Sequence, residues 1–177
     1  MIQSSRSTRF LLAALLTALS LPSAASAETT LTATGFKTMT ITDWGFSGAA
    51  SGTSNVGGGA GSTAKLNDVS VSRLADSNSP EFFRTFATGR PIDTVAITVK
   101  KGTGKTALPY MRYCFNDVRV SAFDYRPLPG DQVKEELRFN FSRTTVTFTP
   151  TPVTGTITLP IKFGWDLKTN STATTTC

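Results

Sequence analysis

Few side chains in this sequence are of the types that do chemistry. The 177 residues include no histidine, which removes the usual general base at neutral pH and the commonest transition-metal ligand. Two cysteines, Cys114 and Cys177, lie far apart in the sequence, too few for a structural zinc site. We therefore expect no catalytic residue, no metal site and no cofactor.

The sequence does not settle whether the two cysteines are bonded to each other. In an oxidising compartment, Cys114 and Cys177 are candidates for a disulfide, although sequence spacing does not show whether their Cα atoms come close enough. Alternatively, Cys114 is a small buried apolar residue, and Cys177 is free to pair with another chain.

The acidic residues do not form a pattern that indicates a hydrolase. Glu135 and Glu136 are adjacent, so on a strand they point to opposite faces and cannot cooperate. The other carboxylates are scattered and mostly occupy turn positions, where they bond to local backbone: Asp76, Glu81, Asp93, Asp117, Asp124, Asp131 and Asp166. A glycosidase-type pair would need the fold to bring two of them together.

A short Gly104-Lys105-Thr106 sequence imitates the end of a phosphate-binding loop. The full motif requires glycine where Val99 stands and a helix immediately afterwards. Leu108-Pro109 follows instead, so a hairpin turn is the better interpretation.

The first 27 residues have the pattern of a secretory signal peptide. Arg6 and Arg9 precede a short apolar run, and Ala25-Ser26-Ala27 fits a small-residue cleavage site. We expect cleavage after Ala27, export to the periplasm or the medium, and no membrane contact afterwards. An uncleaved anchor is the alternative, but the run is short for a membrane span.

Charge gives no sign of a nucleic-acid partner. Removing residues 1–27 takes two of the 18 basic residues and none of the 12 acidic ones, which leaves a net charge of +4. The basic residues form no cluster, so we expect ordinary solvated surface and no nucleic-acid site.

One short helix is predicted between Ser79 and Gly89. Ser79 is a candidate N-cap, Pro80 suits the first helical position, and Gly89 suits the C′ position. Three phenylalanines of this helix share one face, and we expect them, with three on later strands, to belong to the core: Phe82, Phe83, Phe86, Phe139, Phe141 and Phe148.

The rest of the chain predicts a mainly β fold. Alternating runs indicate about seven to eight strands, including Val69–Val71, Val95–Val99 and Leu137–Phe141. With the helix, they favour a closed or nearly closed β-barrel. We expect one domain at residues 28–170, with the glycine-rich stretch 46–62 as an internal loop, and a flexible tail at residues 171–177.

The sequence also contains a two-copy local repeat. Leu66-Asn67-Asp68-Val69 resembles Phe115-Asn116-Asp117-Val118. In the second copy the apolar phase changes from odd to even positions at Asn116-Asp117, which predicts a β-bulge.

Taken in order, several segments of the mature chain resemble the haemolysin-coregulated protein (Hcp) family, the tube subunit of type VI secretion systems. The resemblance extends from about Gly35 to Asn170 and rests on a collinear series: Trp44–Ser47, Gly57–Gly61, Lys65–Val71, Asp76–Pro80, Ala87–Gly89, Val95–Lys101, Leu137–Phe141, Val146–Pro150 and Phe163–Asn170.

This resemblance implies a compact β-barrel with one helix and no enzymatic activity. It also implies self-association into hexameric rings that stack into a tube and carry effector proteins, with effector or spike proteins as partners. Two features depart from the family: the signal peptide, and an N-terminal part compressed into Glu28–Thr38. A monomeric exported binding module or adhesin-like domain is therefore the alternative, and a secreted hydrolase is a third hypothesis.

Overall fold

A computed structural model describes residues 28–51, 63–102, 104–150 and 159–177. The predicted signal peptide and the triple glycine of the 46–62 loop lie outside these residues. The described chain contains one α-helix and twelve strands: β1 (Thr29–Ala33), β2 (Met39–Thr40), β3 (Asp43–Gly45), β4 (Gly48–Ser51), β5 (Thr63–Leu66), β6 (Val69–Leu74), α1 (Ser79–Thr88), β7 (Ile92–Lys101), β8 (Leu108–Leu128), β9 (Gln132–Asn140), β10 (Arg143–Phe148), β11 (Ile161–Asp166) and β12 (Ser171–Thr172).

The sheet is antiparallel and branches at the long strand β8. One path runs β12-β11-β10-β8-β7-β1-β2, and a second runs from β8 through β9 and β6 to β3. β4 and β5 form a separate two-stranded hairpin. The mainly β class is confirmed, but the closed barrel is not, because these ladders do not join into a cycle of hydrogen bonds.

A single apolar core lies between the two branches of the sheet and the helix. Its members come from both branches and from α1, and all are buried: Leu31, Ala33, Met39, Ile41, Val69, Val71, Phe82, Ile92, Val95, Ile97, Phe115, Val118, Val120, Leu137, Phe139 and Phe141. The alternation predicted for Val69–Val71 and Leu137–Phe141 is confirmed by this burial.

Helix α1 has the expected end but a different N-cap. Gly89 adopts φ 64°, and its N–H donates to the Phe86 carbonyl at 3.1 Å. The N-cap is Asn78, without a capping bond from its side chain. The Ser79 hydroxyl instead accepts from the Arg73 guanidinium and the Asp76 N–H, at 2.9 and 3.1 Å. The hydroxyl predicted to cap the helix is therefore engaged by residues three and six positions earlier in the chain.

The change of phase in β8 occurs where predicted, but the shift in pairing lies further along. Asp117 has φ 53°, and at this point β8 exchanges β10 for β9 as its neighbour. The register shift with β9 falls between Val120 and Ala122. The first Asn-Asp pair, Asn67-Asp68, also separates strands with different partners, since β5 pairs with β4 and β6 pairs with β3 and β9.

Three of the six phenylalanines predicted as core do not belong to it. Phe82, Phe139 and Phe141 are buried, as expected, but Phe83, Phe86 and Phe148 are 38–49% exposed. The helix rests on the sheet along the line of Phe82, which leaves the flanking rings at the surface. A helical pattern alone does not show how wide the covered stripe is.

Residues 171–177 have contacts that a free tail would lack. Thr172 pairs with Trp165, and the Thr175 N–H donates to the Thr145 hydroxyl at 2.9 Å. Cys177 is joined to Cys114 by a disulfide, with Cα atoms 5.8 Å apart. This segment is held by backbone, hydroxyl and sulfur contacts, which an apolar periodicity does not reveal.

Candidate functional site

Most of the carboxylates considered for a hydrolytic pair are held in ion pairs with basic side chains. Glu135 is fully buried and Glu136 lies on the opposite face, where it pairs with Lys134 at 2.7 Å. Asp124 pairs with Arg126, and Asp117 with Arg143 and Lys168. Among the described residues, no group of three or more Cys, Asp or Glu side chains is placed to hold a metal ion.

Gly104-Lys105-Thr106 forms a single 3-10 turn that leads directly into β8. Its backbone does not begin an α-helix, so it lacks the helix N-terminus that a phosphate loop uses.

The most unusual polar feature is a buried ion pair beneath the start of α1. Arg73 on β6 and Glu135 on β9 are 1% and 0% exposed, and their Nη2 and Oε2 atoms are 2.5 Å apart. Arg73 also pairs with Asp76 at 2.9 Å and lies 5.3 Å from the centre of the Phe82 ring. Because these partners belong to β9, the turn before α1 and α1 itself, Arg73 fixes the helix to the sheet.

This buried pair changes the titration of its neighbours. Burial, together with the adjacent Glu135 carboxylate, raises the pKa of Tyr125 to about 12. Burial raises the pKa of Asp76, but hydrogen bonds from Arg73 and the Asn78 N–H outweigh this effect and leave the pKa below its usual value. Arg73 Nε and both carboxylate oxygens of Glu135 are buried without a hydrogen-bond partner, so the ion pairs of Arg73 with Glu135 and Asp76 are what hold the cluster together. The arrangement is that of a structural anchor.

Two apolar surfaces of the described residues are exposed at the edge of the core. The first, which we call the helix patch, consists of Phe83, Phe86, Phe123 and Tyr125. Phe123 lies between the others, with ring centres 5.2 Å from Phe83, 4.9 Å from Phe86 and 5.5 Å from Tyr125. Contiguous aromatic surface of this kind is typical of protein–protein contact sites.

The second surface, the strand patch, consists of Phe148, Ile161 and Phe163 on β10 and β11. Phe148 and Ile161 are directly paired across the two strands, and Ile161 and Phe163 are 67% and 60% exposed. Beside it lies an apolar groove of about 310 Å³ lined by Phe46, Ala64, Leu66, Thr144, Val146, Phe163 and Trp165.

Sequence reasoning missed the Arg73–Glu135 pair and both patches. The sequence held a faint indication of the ion pair. The alternation of apolar residues along β6 and β9 assigns the positions of Arg73 and Glu135 to the buried face of the sheet. The sequence held no indication of the patches, because exposed and buried phenylalanines share the same sequence pattern.

The fold is that of type VI secretion proteins of known structure. The chain superposes on a type six secretion system protein with a TM-score of 0.71 and 18% identity, covering 84% of this chain and 100% of that one. For Hcp1 from Salmonella typhimurium the TM-score is 0.67 at 19% identity, and the match covers 83% of this chain and 99% of Hcp1. For a type VI secretion system effector from Yersinia pestis the TM-score is 0.62 at 18% identity, and the match covers 78% of this chain and 98% of the effector.

The sequence itself identifies the family. The profile described as type VI secretion system effector, Hcp, matches residues 33–148, and the chain belongs to this family. No curated protein matches the sequence. The Hcp family is a structural secretion-system family with no known enzymatic activity. Within the described residues, no helix is long and apolar enough to cross a membrane.

Proposed function

We propose that the mature chain is a non-enzymatic, self-assembling subunit that forms hexameric rings, exported through its signal peptide and acting in type VI secretion. Family membership carries this proposal. It is supported by two separate exposed apolar patches. In such rings, effector or spike proteins are the expected partners.

The number of patches favours a ring over a two-fold dimer. A two-fold interface uses the same surface on both copies, whereas a ring joins two different surfaces of neighbouring copies. The helix patch and the strand patch are two such surfaces, on different elements of one subunit. In the proposed ring, the strand patch of each copy packs on the helix patch of the next.

Mixing of two variants tests this arrangement. Phe163→Asp disables the strand patch, and Phe83→Asp disables the helix patch. Because each variant retains the surface that the other lacks, either one alone should be monomeric, and a mixture should give a one-to-one heterodimer by native mass spectrometry. Leu108→Asp is the control, since Leu108 is 57% exposed but lies in neither patch; this variant should assemble normally.

Recovery of rings by either variant alone would contradict the pairing of these patches. A wild-type chain that stays monomeric at high concentration would contradict self-assembly itself. That result would favour the alternative, a monomeric exported binding module that uses the same apolar surfaces for another protein.

We also propose that the sheet closes into a barrel through residues 39–45. This segment pairs with β1 at Met39–Thr40 and with β6 at Asp43–Gly45. Between these, the Ile41 N–H donates to the Thr29 carbonyl at 3.0 Å and the Thr42 N–H donates to the Ser72 carbonyl at 2.9 Å. The two amides should exchange as slowly as those of β7; rapid exchange of both would show an open edge.

Export is tested by the N-terminus of the secreted protein. Intact-mass measurement and N-terminal sequencing of the exported chain should give Glu28 as the first residue. A chain that retains residues 1–27, or that accumulates only in the cytoplasm, would contradict this part of the proposal without affecting self-assembly.

A further inference from the structure

The segment 173–177, which we call the strap, lies across the sheet instead of along it. Small residues from successive strands are paired in one row: Gly164 with Thr145, Thr145 with Cys114, and Cys114 with Ala96. The strap follows this row. Ala173 donates its N–H to the Gly164 carbonyl at 3.1 Å, Thr175 bonds to Thr145, and Cys177 is bonded to Cys114.

The row forms a groove that the strap fills. Thr145 and Cys114 are 1% and 4% exposed although neither belongs to the apolar core. The backbone of the strap passes so close to Gly164 that a Cβ at this position would overlap the Ala173 carbonyl oxygen. Only glycine therefore leaves room for the strap at β11. Beyond Cys177, a cavity of about 190 Å³ lined by Ala96, Thr32 and Arg112 continues the groove.

Apart from the disulfide, the strap has few anchors. Its polar contacts are the Ala173 hydrogen bond and the two bonds between Thr175 and Thr145, and the side chains of Thr174 and Thr176 are exposed. Hydrogen bonds of this kind add little net stability each, because water replaces them when the segment leaves. The disulfide is the contact that holds the strap in its groove.

We propose that the strap is a redox-controlled cover, closed by the Cys114–Cys177 disulfide and released when the bridge is reduced. On closing, the two thiols lose two protons and two electrons as the S–S bond forms, and a protein disulfide of the thiol–disulfide oxidoreductase class accepts them and becomes a dithiol. A dithiol reductant reverses the step. Reduction uncovers the small-residue groove across β11, β10 and β8. This proposal does not depend on ring assembly.

Hydrogen exchange of the mature protein, with and without a phosphine reductant, tests the cover. Alkylation followed by mass measurement first establishes that the protein has no free thiol before reduction and two after it. Exchange at the hydrogen-bonded amides of Ala173 and Thr175 should then become about ten-fold faster or more on reduction, as expected for local opening. Exchange in β7 and β9 should change no more than the accompanying loss of global stability requires. Cys177→Ser should behave like the reduced protein.

Matched variants distinguish the effect of the disulfide from that of the contacts between the strap and the groove. Thr145→Val removes the acceptor of the Thr175 N–H and should speed exchange at Thr175 in the oxidised protein. Thr147→Val, two residues along the same strand face, is its control and should not. Gly164→Ala should lift Ala173 off β11 while the disulfide still forms. Unchanged exchange after complete reduction, free thiols in the exported protein, or disulfide-linked dimers on a non-reducing gel would each overturn the proposal.

Discussion

At the scale of single residues, the buried Arg73–Glu135 pair stabilises the junction between α1 and the sheet. Taking two charges out of water is costly, and the attraction between them offsets that cost only while both are present. The consequence of removing one partner is therefore larger than the net contribution of the pair.

We expect Arg73→Met to lower the free energy of unfolding by about 3–5 kcal/mol, because it leaves the Glu135 carboxylate buried without its partner. The double variant Arg73→Met/Glu135→Leu should recover most of this loss. Urea unfolding of the mature chain measures the free energy of unfolding of the single and the double variant. A double variant as unstable as the single one would show that Arg73 acts through something other than Glu135.

Tyr125 should make stability fall at high pH. Its pKa rises from 10.0 to about 12 because of burial and the nearby Glu135 carboxylate, so the folded state holds the phenol proton more tightly than the unfolded state. This contribution is complete below about pH 10 and is lost as the pH rises towards 12.

To test this, the free energy of unfolding is measured from pH 9 up to about pH 12, which is the raised pKa of Tyr125. The wild-type curve should fall more steeply than that of Tyr125→Phe, which has no phenol to titrate. Tyr113 remains in both proteins, and burial raises its pKa too, so it cancels in the comparison. Parallel curves would contradict the assignment to Tyr125.

At the scale of elements, neighbouring phenylalanines of α1 have different roles. Phe82 is fully buried, stacked on Phe36 with ring centres 4.2 Å apart and close to Phe139 at 6.0 Å. Phe83, one residue on, faces outward in the helix patch.

Phe82→Ala should therefore cost about 3–5 kcal/mol of stability, as for other buried aromatic rings. Phe83→Ala should cost far less and should instead weaken association between subunits. Thermal unfolding and native mass measurement of the two variants separate the effects. Equal losses of stability would mean that the outer face of the helix is also part of the core.

Elements with strong local signals could be predicted from the sequence, and their arrangement could not. The helix from Pro80 to Gly89 and the alternation of Val69–Val71 follow from local residue preferences. The exposure of Phe148 and the position of residues 171–177 depend on contacts between distant segments. For the same reason the sequence did not predict the location of either patch.

At the scale of the whole molecule, the disulfide joins positions separated by 63 residues. Closing a loop of this size restricts the unfolded chain and is expected to add about 2–4 kcal/mol of stability. Cys114→Ser/Cys177→Ser should lower the melting temperature of the mature chain to that of the reduced wild type. If the variant melts like the oxidised protein, the bridge contributes nothing to global stability.

We expect this chain to act through contacts on its exterior. The ion pairs at Asp117, Asp124 and Glu136 are exposed, where each contributes little to stability. The apolar patches remain as the surfaces with the most to gain from burial, at about 25 cal/mol per Å² of apolar area. A subunit of this family is therefore expected to find its stable state in an assembly.

Native mass spectrometry of the oxidised mature chain at several concentrations tests this most directly. We expect a discrete species of six copies that persists on dilution and is lost in Phe163→Asp. A single copy at every concentration, with the fold intact by circular dichroism, would contradict the account.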